Sequence, residues 1–236
     1  DGDVWRDSNT LEGEALLAYR RRVQLVFQDP FSSLNPRMAI YQIIREPLVI
    51  HRVGTPESRD KHVRELMELV GLDPKMLRRY PHSLSGGQRQ RVGIARALAL
   101  RPDILVCYEP VSSLVVSVQA QVLDLLQELQ DEDELSYLFI SHDMAVVERV
   151  ADRVMVMRRG QVMEEGRRDD VLHNPRHLYT KRLLSAVPVP DPTRVRQRRE
   201  PASSNEPSSP IFPIGDHPRR VTLEELAAGH RVAVQG

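Results

Sequence analysis

Leu84-Ser85-Gly86-Gly87-Gln88-Arg89-Gln90-Arg91-Val92-Gly93-Ile94-Ala95-Arg96-Ala97-Leu98 is the stretch from which the fold can be read. It predicts a polar, glycine-bearing loop that runs straight into an amphipathic helix, with Val92, Ala95 and Leu98 at helical spacing and arginines between them. Two successive glycines carry no Cβ, so an anion can approach the backbone of Ser85-Gly86-Gly87, whose N–H groups open the helix at its positive dipole end. The Ser85 hydroxyl adds a donor. These residues make a predicted anion site, although Ser-Gly-Gly read alone is more often a turn before a surface helix.

Leu-Ser-Gly-Gly-Gln in this order arises by chance in a chain this long only on the order of a few times in ten thousand. The pentapeptide and its Arg-Gln-Arg-Val-Gly-Ile-Ala-Arg-Ala-Leu continuation resemble the signature motif of the ATP-binding subunits of ABC transporters. The resemblance implies that Leu84, Ser85, Gly86, Gly87 and Gln88 meet the γ-phosphate of an ATP held mainly by a second ATP-binding subunit, identical to this one or different from it.

Composition agrees with a cytosolic or membrane-peripheral protein. The 236 residues carry 33 basic and 33 acidic side chains, so no global charge draws the chain to nucleic acid or to an anionic membrane. A single cysteine excludes an internal disulfide framework and fits a reducing compartment. No apolar run approaches the roughly 18 residues of a spanning helix, and no signal peptide opens the chain. Because the first residue is Asp1, we expect the sequence to begin inside a longer reading frame.

Upstream of the signature, residues up to Tyr19 are polar with weak periodicity, and Asp1-Gly2 looks like the turn of a hairpin. Val23-Gln24-Leu25-Val26-Phe27 has the length and character of a strand and stops at Gln28-Asp29-Pro30. A glutamine there is ordinarily a solvated loop residue. Gln28 nevertheless lies where the resembling family has its Q-loop glutamine, which implies contact with Mg²⁺ and with the attacking water. The run Phe27-Gln28-Asp29-Pro30-Phe31-Ser32-Ser33-Leu34-Asn35-Pro36-Arg37-Met38 is similar to that of di- and oligopeptide importers. Residues 41–80 read as helical, with a Thr55-Pro56 start, an apolar stripe of Val63, Leu66, Leu69 and Val70, and a stop at Gly71. In the family this region, about 36–81, is a helical subdomain that docks on transmembrane permease subunits.

Downstream, Ile104-Leu105-Val106-Cys107 is a continuous apolar run of the kind buried on both faces of a parallel sheet, with Cys107 in the core. Glu109 follows at the strand's carboxyl end, where open α/β sheets place their ligands. A carboxylate there can orient a water for in-line attack on phosphorus, the catalytic role that the resemblance assigns to it. Tyr108 departs from the family, which carries its Walker B Asp at this position, and a neutral phenol is a poor ligand for Mg²⁺. Val115 departs as well, standing at an Asp position of the family's D-loop. A helix over 117–130 and a strand over 135–140 lead to Ser141-His142-Asp143. His142 matches the family's H-loop histidine, which implies contact with the γ-phosphate and with Glu109.

Met144 to Ala151 reads as a short helix, and Arg153 to Met157 with Gln161 to Glu164 as a hairpin whose alternating methionines are expected to pack. The segment from Asn174 to Pro188 resembles the C-terminal extension of oligopeptide and dipeptide importers, as do Gly229-His230-Arg231-Val232-Ala233. Residues 188–218, rich in Pro, Ser and Arg, are expected to be loosely structured, and the arginines at 194–199 to be solvated. The tail carries no cysteine, so no iron–sulfur site is expected.

No G-x-x-x-x-G-K-[ST] and no Gly-Lys pair occurs. The phosphate-cradling P-loop, which the resemblance places before Asp1, is therefore missing from this sequence. The strand 104–107 is expected to lack a pairing partner in consequence, and the chain to bind ATP poorly alone and not to turn it over. The expected fold is α/β, with a mainly parallel sheet of P-loop NTPase type, N-terminally incomplete. A nucleotide-binding domain covers 1–187, with the helical subdomain inserted, and an importer-type tail covers 188–236.

The expected function is that of an ATP-binding subunit, with ATP and Mg²⁺ as cofactors, energising di- or oligopeptide uptake from the cytoplasmic face of the membrane. Its partners are a second ATP-binding subunit, the permease subunits and, indirectly, a peptide-binding protein, with no nucleic acid. The alternative is a non-catalytic subunit that only donates its signature. An ABC-type ATPase of DNA repair or translation shares the signature, but the Gln28 neighbourhood and the tail stand against it.

Overall fold

The computed structural model describes residues 8–133, 135–186 and 221–234. The turn expected at Asp1-Gly2 and the tail 188–218 lie outside the described residues. The chain divides into two compact units, Asp1–Asp143 and Met144–Gly236.

The first unit contains α1 (Gly13–Arg22), β1 (Val23–Val26), α2 (Ile40–Ile50), α3 (Pro56–Leu69), α4 (Gly86–Leu98), β2 (Ile104–Tyr108), α5 (Val116–Asp133) and β3 (Ser136–Ile140). Local chemistry accounts for the helix starts. Thr55 caps α3 by accepting from the Ser58 amide, Pro56 occupies the first turn, and Gly71 ends the region in the left-handed conformation that glycine tolerates. At α4 the Ser85 hydroxyl accepts from the Gln88 amide at 3.3 Å, while the Gln88 side chain accepts from the Ser85 amide at 3.0 Å. This reciprocal box satisfies two of the groups that a helix start leaves unpaired. Helix α1 was not legible in the sequence. None of its residues is buried, so there is no apolar stripe to detect.

The three strands of this unit form a parallel sheet in the order β1-β2-β3, with Val26 opposite Cys107 and Cys107 opposite Phe139. Two expectations for residues 104–107 are corrected here. The strand does not lack a partner: it is the central strand and pairs along both edges. Nor is it buried on both faces. Leu105, Cys107 and their neighbour Val26 are buried, as are Ile94, Ala95 and Leu98 of α4. On the opposite face Leu25, Ile104, Leu138 and Ile140 are exposed, so among the described residues one side of the sheet is an uncovered apolar surface.

The second unit holds α6 (Met144–Val150), β4 (Arg153–Arg158), β5 (Gln161–Arg167), α7 (Arg168–His173), α8 (Leu178–Ser185), β6 (Thr222–Ala227) and β7 (His230–Val234). Its sheet is antiparallel, in the order β4-β5-β7-β6. The hairpin forms as expected, and of its methionines Met163 is buried as expected while Met155 and Met157 are not. Val154 and Val156 supply the buried face of β4, with Val171, Tyr179 and Leu183 against them. Met155 and Met157 point the other way and are more than half exposed, because alternation sends successive side chains to opposite faces and the valines occupy the inner one. The β6–β7 hairpin, which the sequence did not announce, extends this sheet through Glu164 and Glu165 of β5 opposite Val232 and Arg231.

Candidate functional site

In a parallel sheet all strands end on the same edge, and three predicted residues follow those ends. Gln28 comes two residues after β1, Glu109 immediately after β2 and His142 two residues after β3. They meet. The Gln28 side-chain amide donates from Nε2 to Glu109 Oε2 at 2.7 Å. His142 Nδ1 lies 2.8 Å from Glu109 Oε1, a contact in which an ionised carboxylate requires Nδ1–H to donate. The carboxylate is thus held at both oxygens. Its side chain is only 17% exposed, whereas that of His142 is 74% exposed.

The backbone beneath Glu109 is unusual. Its φ of +44° lies in the left-handed region that non-glycine residues rarely adopt, and its amide donates to Ile140 O at 2.8 Å. The Ser112 hydroxyl donates to Glu109 O at 3.1 Å, closing the turn that follows. Such a conformation costs on the order of 1 kcal/mol and persists only where neighbours fix it, as these hydrogen bonds do. Gln28 is held at its other end by the Ser113 hydroxyl, which donates to Gln28 O at 3.4 Å, a contact that sequence reasoning missed.

The signature residues occupy the N-terminus of α4, with Leu84 buried and Ser85 exposed. The expectation that both glycines leave the backbone open is corrected at one of them. A Cβ at Gly86 would sit 3.6 Å from Leu114 Cδ2, an ordinary contact, but one at Gly87 would come within 2.3 Å of Val118 Cγ1. Gly87 therefore serves close packing against the start of α5. Gln88 is committed to the capping box, a role that the Ser-x-x-Gln pattern carries in the sequence. Among the described residues no hydrogen bond links Ser85 to Gln28, Glu109 or His142.

Among the described residues the side chains at these strand ends do not by themselves compose a divalent-cation site. Tyr108 is exposed on the uncovered sheet face, Val115 offers no ligand atom, and Gln28, whose amide nitrogen donates to Glu109, has only its side-chain oxygen to offer a cation. Among the described residues no group of three His, Cys, Asp or Glu side chains is placed to hold a metal ion.

A parallel α/β sheet that gathers Gln28, Glu109 and His142 at its strand ends, beside a helix start capped by Ser85, has the arrangement in which open α/β sheets place their ligands. The family model for ABC transporters matches residues 1–112, and that for the oligopeptide/dipeptide transporter C-terminal region matches residues 163–214. The chain belongs to the ATP-binding subunits of ABC transporters, of the peptide-importer type. It is 51% identical to the oligopeptide transport ATP-binding protein OppF of Streptococcus mutans, over 94% of this chain and 70% of that protein. It is also 50% identical to the glutathione import ATP-binding protein GsiA of Pectobacterium atrosepticum, over 98% of this chain but only 38% of that protein's length. Among solved structures it is similar to the ATP-binding cassette MJ0796 in a dimeric post-hydrolysis state bound to ADP and Pi. That match has a TM-score of 0.60 and 30% identity, over 68% of this chain and 69% of that one. CbiO1 of Clostridium perfringens, part of an ABC transporter complex, matches with a TM-score of 0.62 and 28% identity, over 69% of this chain and 63% of that one. Among the described residues no helix is long and apolar enough to cross a membrane.

Proposed function

We propose that this chain is an ATP-binding subunit that couples ATP binding and hydrolysis to di- or oligopeptide uptake. The observation that carries the reading is the convergence of Gln28 and His142 on the two oxygens of Glu109 at one edge of the sheet. In this reading the carboxylate of Glu109 orients a water in line with a γ-phosphate and accepts its proton. Gln28 and His142 hold that carboxylate in register, and His142, exposed, also faces the phosphate. Ser85 and the free amides at the start of α4 serve an ATP on a second ATP-binding subunit. The nucleotide-binding domain covers 1–187 and the importer-type tail 188–236. The helical subdomain, about 36–81, docks on permease subunits at the cytoplasmic face of the membrane, with a peptide-binding protein further upstream. The names of the relatives, glutathione and oligopeptide import proteins, support a small peptide as cargo.

Tyr108 and Val115 favour a second reading, in which the chain's own nucleotide site is silent and only its signature loop works. One experiment separates the two. The chain is mixed in turn with a P-loop-bearing importer ATPase whose own signature serine is disabled, which reads out Ser85, and with one whose signature is intact but whose catalytic glutamate is disabled, which reads out Glu109. Mg²⁺-dependent phosphate release is measured for the unmodified chain, Ser85→Arg and Glu109→Gln. Loss of turnover with both substitutions supports the catalytic reading. Loss with Ser85→Arg alone supports the signature-donor reading.

A further inference from the structure

Two arginines of α4 reach out of the signature helix to one segment of chain. Arg89, buried, places its guanidinium carbon 3.8 Å above the ring of Phe31, three residues after Gln28. Its Nε donates to Pro81 O at 2.7 Å, in the short turn that leads into the signature loop. Arg96, two helical turns further along, donates from Nη1 to Ser33 O at 2.7 Å. Positions seven apart lie on one face of a helix, so the chain from Phe31 to Ser33 runs along the face that these two side chains share.

Phe31 is 63% exposed and contributes little to any core, so hydrophobic burial does not explain its placement. Its ring lies against the Arg89 cation, and a cation gains most over an aromatic face when it is itself desolvated. The segment also has its own internal structure. The Asp29 carboxylate accepts from the Phe31 amide at 2.8 Å, and the Ser33 amide donates to Asp29 O at 3.1 Å. It is a small folded loop fastened at two points, with Gln28 projecting from its start toward Glu109.

We infer that Arg89 and Arg96 are positioning residues that bind the loop 29–34 to the signature helix. Through this clasp a displacement at the Ser85 end of α4 carries Gln28 with it and changes the Gln28–Glu109 hydrogen bond. The inference rests on the reading of Gln28 and Ser85 as parts of one nucleotide-handling device. It adds the means by which the signature loop and the carboxylate at the strand ends sense each other.

The test uses the 236-residue chain and the substitutions Phe31→Ala, Phe31→Tyr and Arg96→Met. Two readouts are followed: hydrogen exchange at the Ser33 amide, and the NMR resonance of the Gln28 side-chain amide, which a carboxylate acceptor displaces. In Phe31→Ala and Arg96→Met the Ser33 amide exchanges about tenfold faster, the exchange expected from loss of one anchoring contact. Exchange within α4 is unchanged, and the Gln28 resonance moves toward that of a free amide. Phe31→Tyr, which keeps an aromatic face, restores both readouts. Unchanged exchange at Ser33 alongside an unmoved Gln28 resonance overturns the clasp alone. A Gln28 resonance already at the free-amide position in the unmodified chain overturns both the clasp and the site geometry on which it rests.

Discussion

Gln28 Nε2 and Glu109 Oε2, 81 positions apart in sequence, are joined by a 2.7 Å hydrogen bond across the ends of β1 and β2. The Glu109 carboxylate is aimed by a backbone at φ +44°, a conformation that glycine adopts without penalty. Glu109→Gly and Glu109→Ala both remove the carboxylate, but only glycine also relieves the backbone. We expect Glu109→Gly to be the more stable of the two by about 1 kcal/mol, measured as a difference in urea unfolding free energy.

Gly87 gives a second test of local geometry. Its φ is helical, so alanine should favour the helix by up to about 1 kcal/mol if propensity decided the outcome. A Cβ would overlap Val118 Cγ1, however, and overpacking costs about 1–3 kcal/mol. Gly87→Ala therefore destabilises the chain, and Gly86→Ala, which meets Leu114 at an ordinary distance, destabilises it less. Thermal midpoints of the two variants settle the order.

The second unit is held by a carboxylate with no exposure at all. Glu164 accepts from the Arg176 and His177 amides at 2.7 and 3.1 Å and pairs with His230 at 2.8 Å, tying β5 to the chain before α8 and to β7. Burial raises the pKa of this carboxyl, but the hydrogen bonds outweigh it and leave the value below the ordinary carboxylate range. A depressed folded value means that the stabilisation is complete above the unfolded value of about 4.3 and fades as pH falls through the folded one. Glu164→Gln costs about 3 kcal/mol near neutral pH, because it strands buried donors. The gap from the unmodified chain narrows in acid. Urea midpoints recorded from about pH 7 down to pH 3 test both the size and the sign.

Cys107, central in the sheet, is fully buried, and burial pushes its thiol pKa up to about 12. The thiolate is the reactive form, so a thiol reagent at pH 8 labels the native chain only through unfolding. Labelling should rise with urea along the same curve as the far-UV signal. Labelling well before that transition would contradict the packing described for β2.

Much of this fold is legible in the sequence because its signals are local. The Thr55-Pro56 start of α3, the Ser85 cap of α4 and the β4–β5 hairpin each depend on residues within four positions of one another. What was not legible depends on distant partners. The side of β2 that faces solvent depends on what covers the sheet, and the inner face of β4 went to Val154 and Val156 because α7 and α8 pack there. Glu164 read as one more polar residue of a hairpin, since its partners lie 12, 13 and 66 positions away. The candidate site divides in the same way. Residue types and their order pointed to the family and made Gln28, Ser85, Glu109 and His142 candidates, while the pairing of Gln28 and His142 on one carboxylate, and the contact of Arg89 with Phe31, depend on chain segments far apart in sequence.

The central claim is that the signature loop of this chain completes an ATP site on another subunit, and the most direct measurement is turnover in the mixture with a signature-disabled, P-loop-bearing partner ATPase. Phosphate release is expected only when the chain and its partner are combined, falling by a factor of about a hundred or more with Ser85→Arg at unchanged thermal stability. Turnover in the mixture that is indifferent to Ser85→Arg, or no turnover from a mixture in which both proteins are folded, would contradict it.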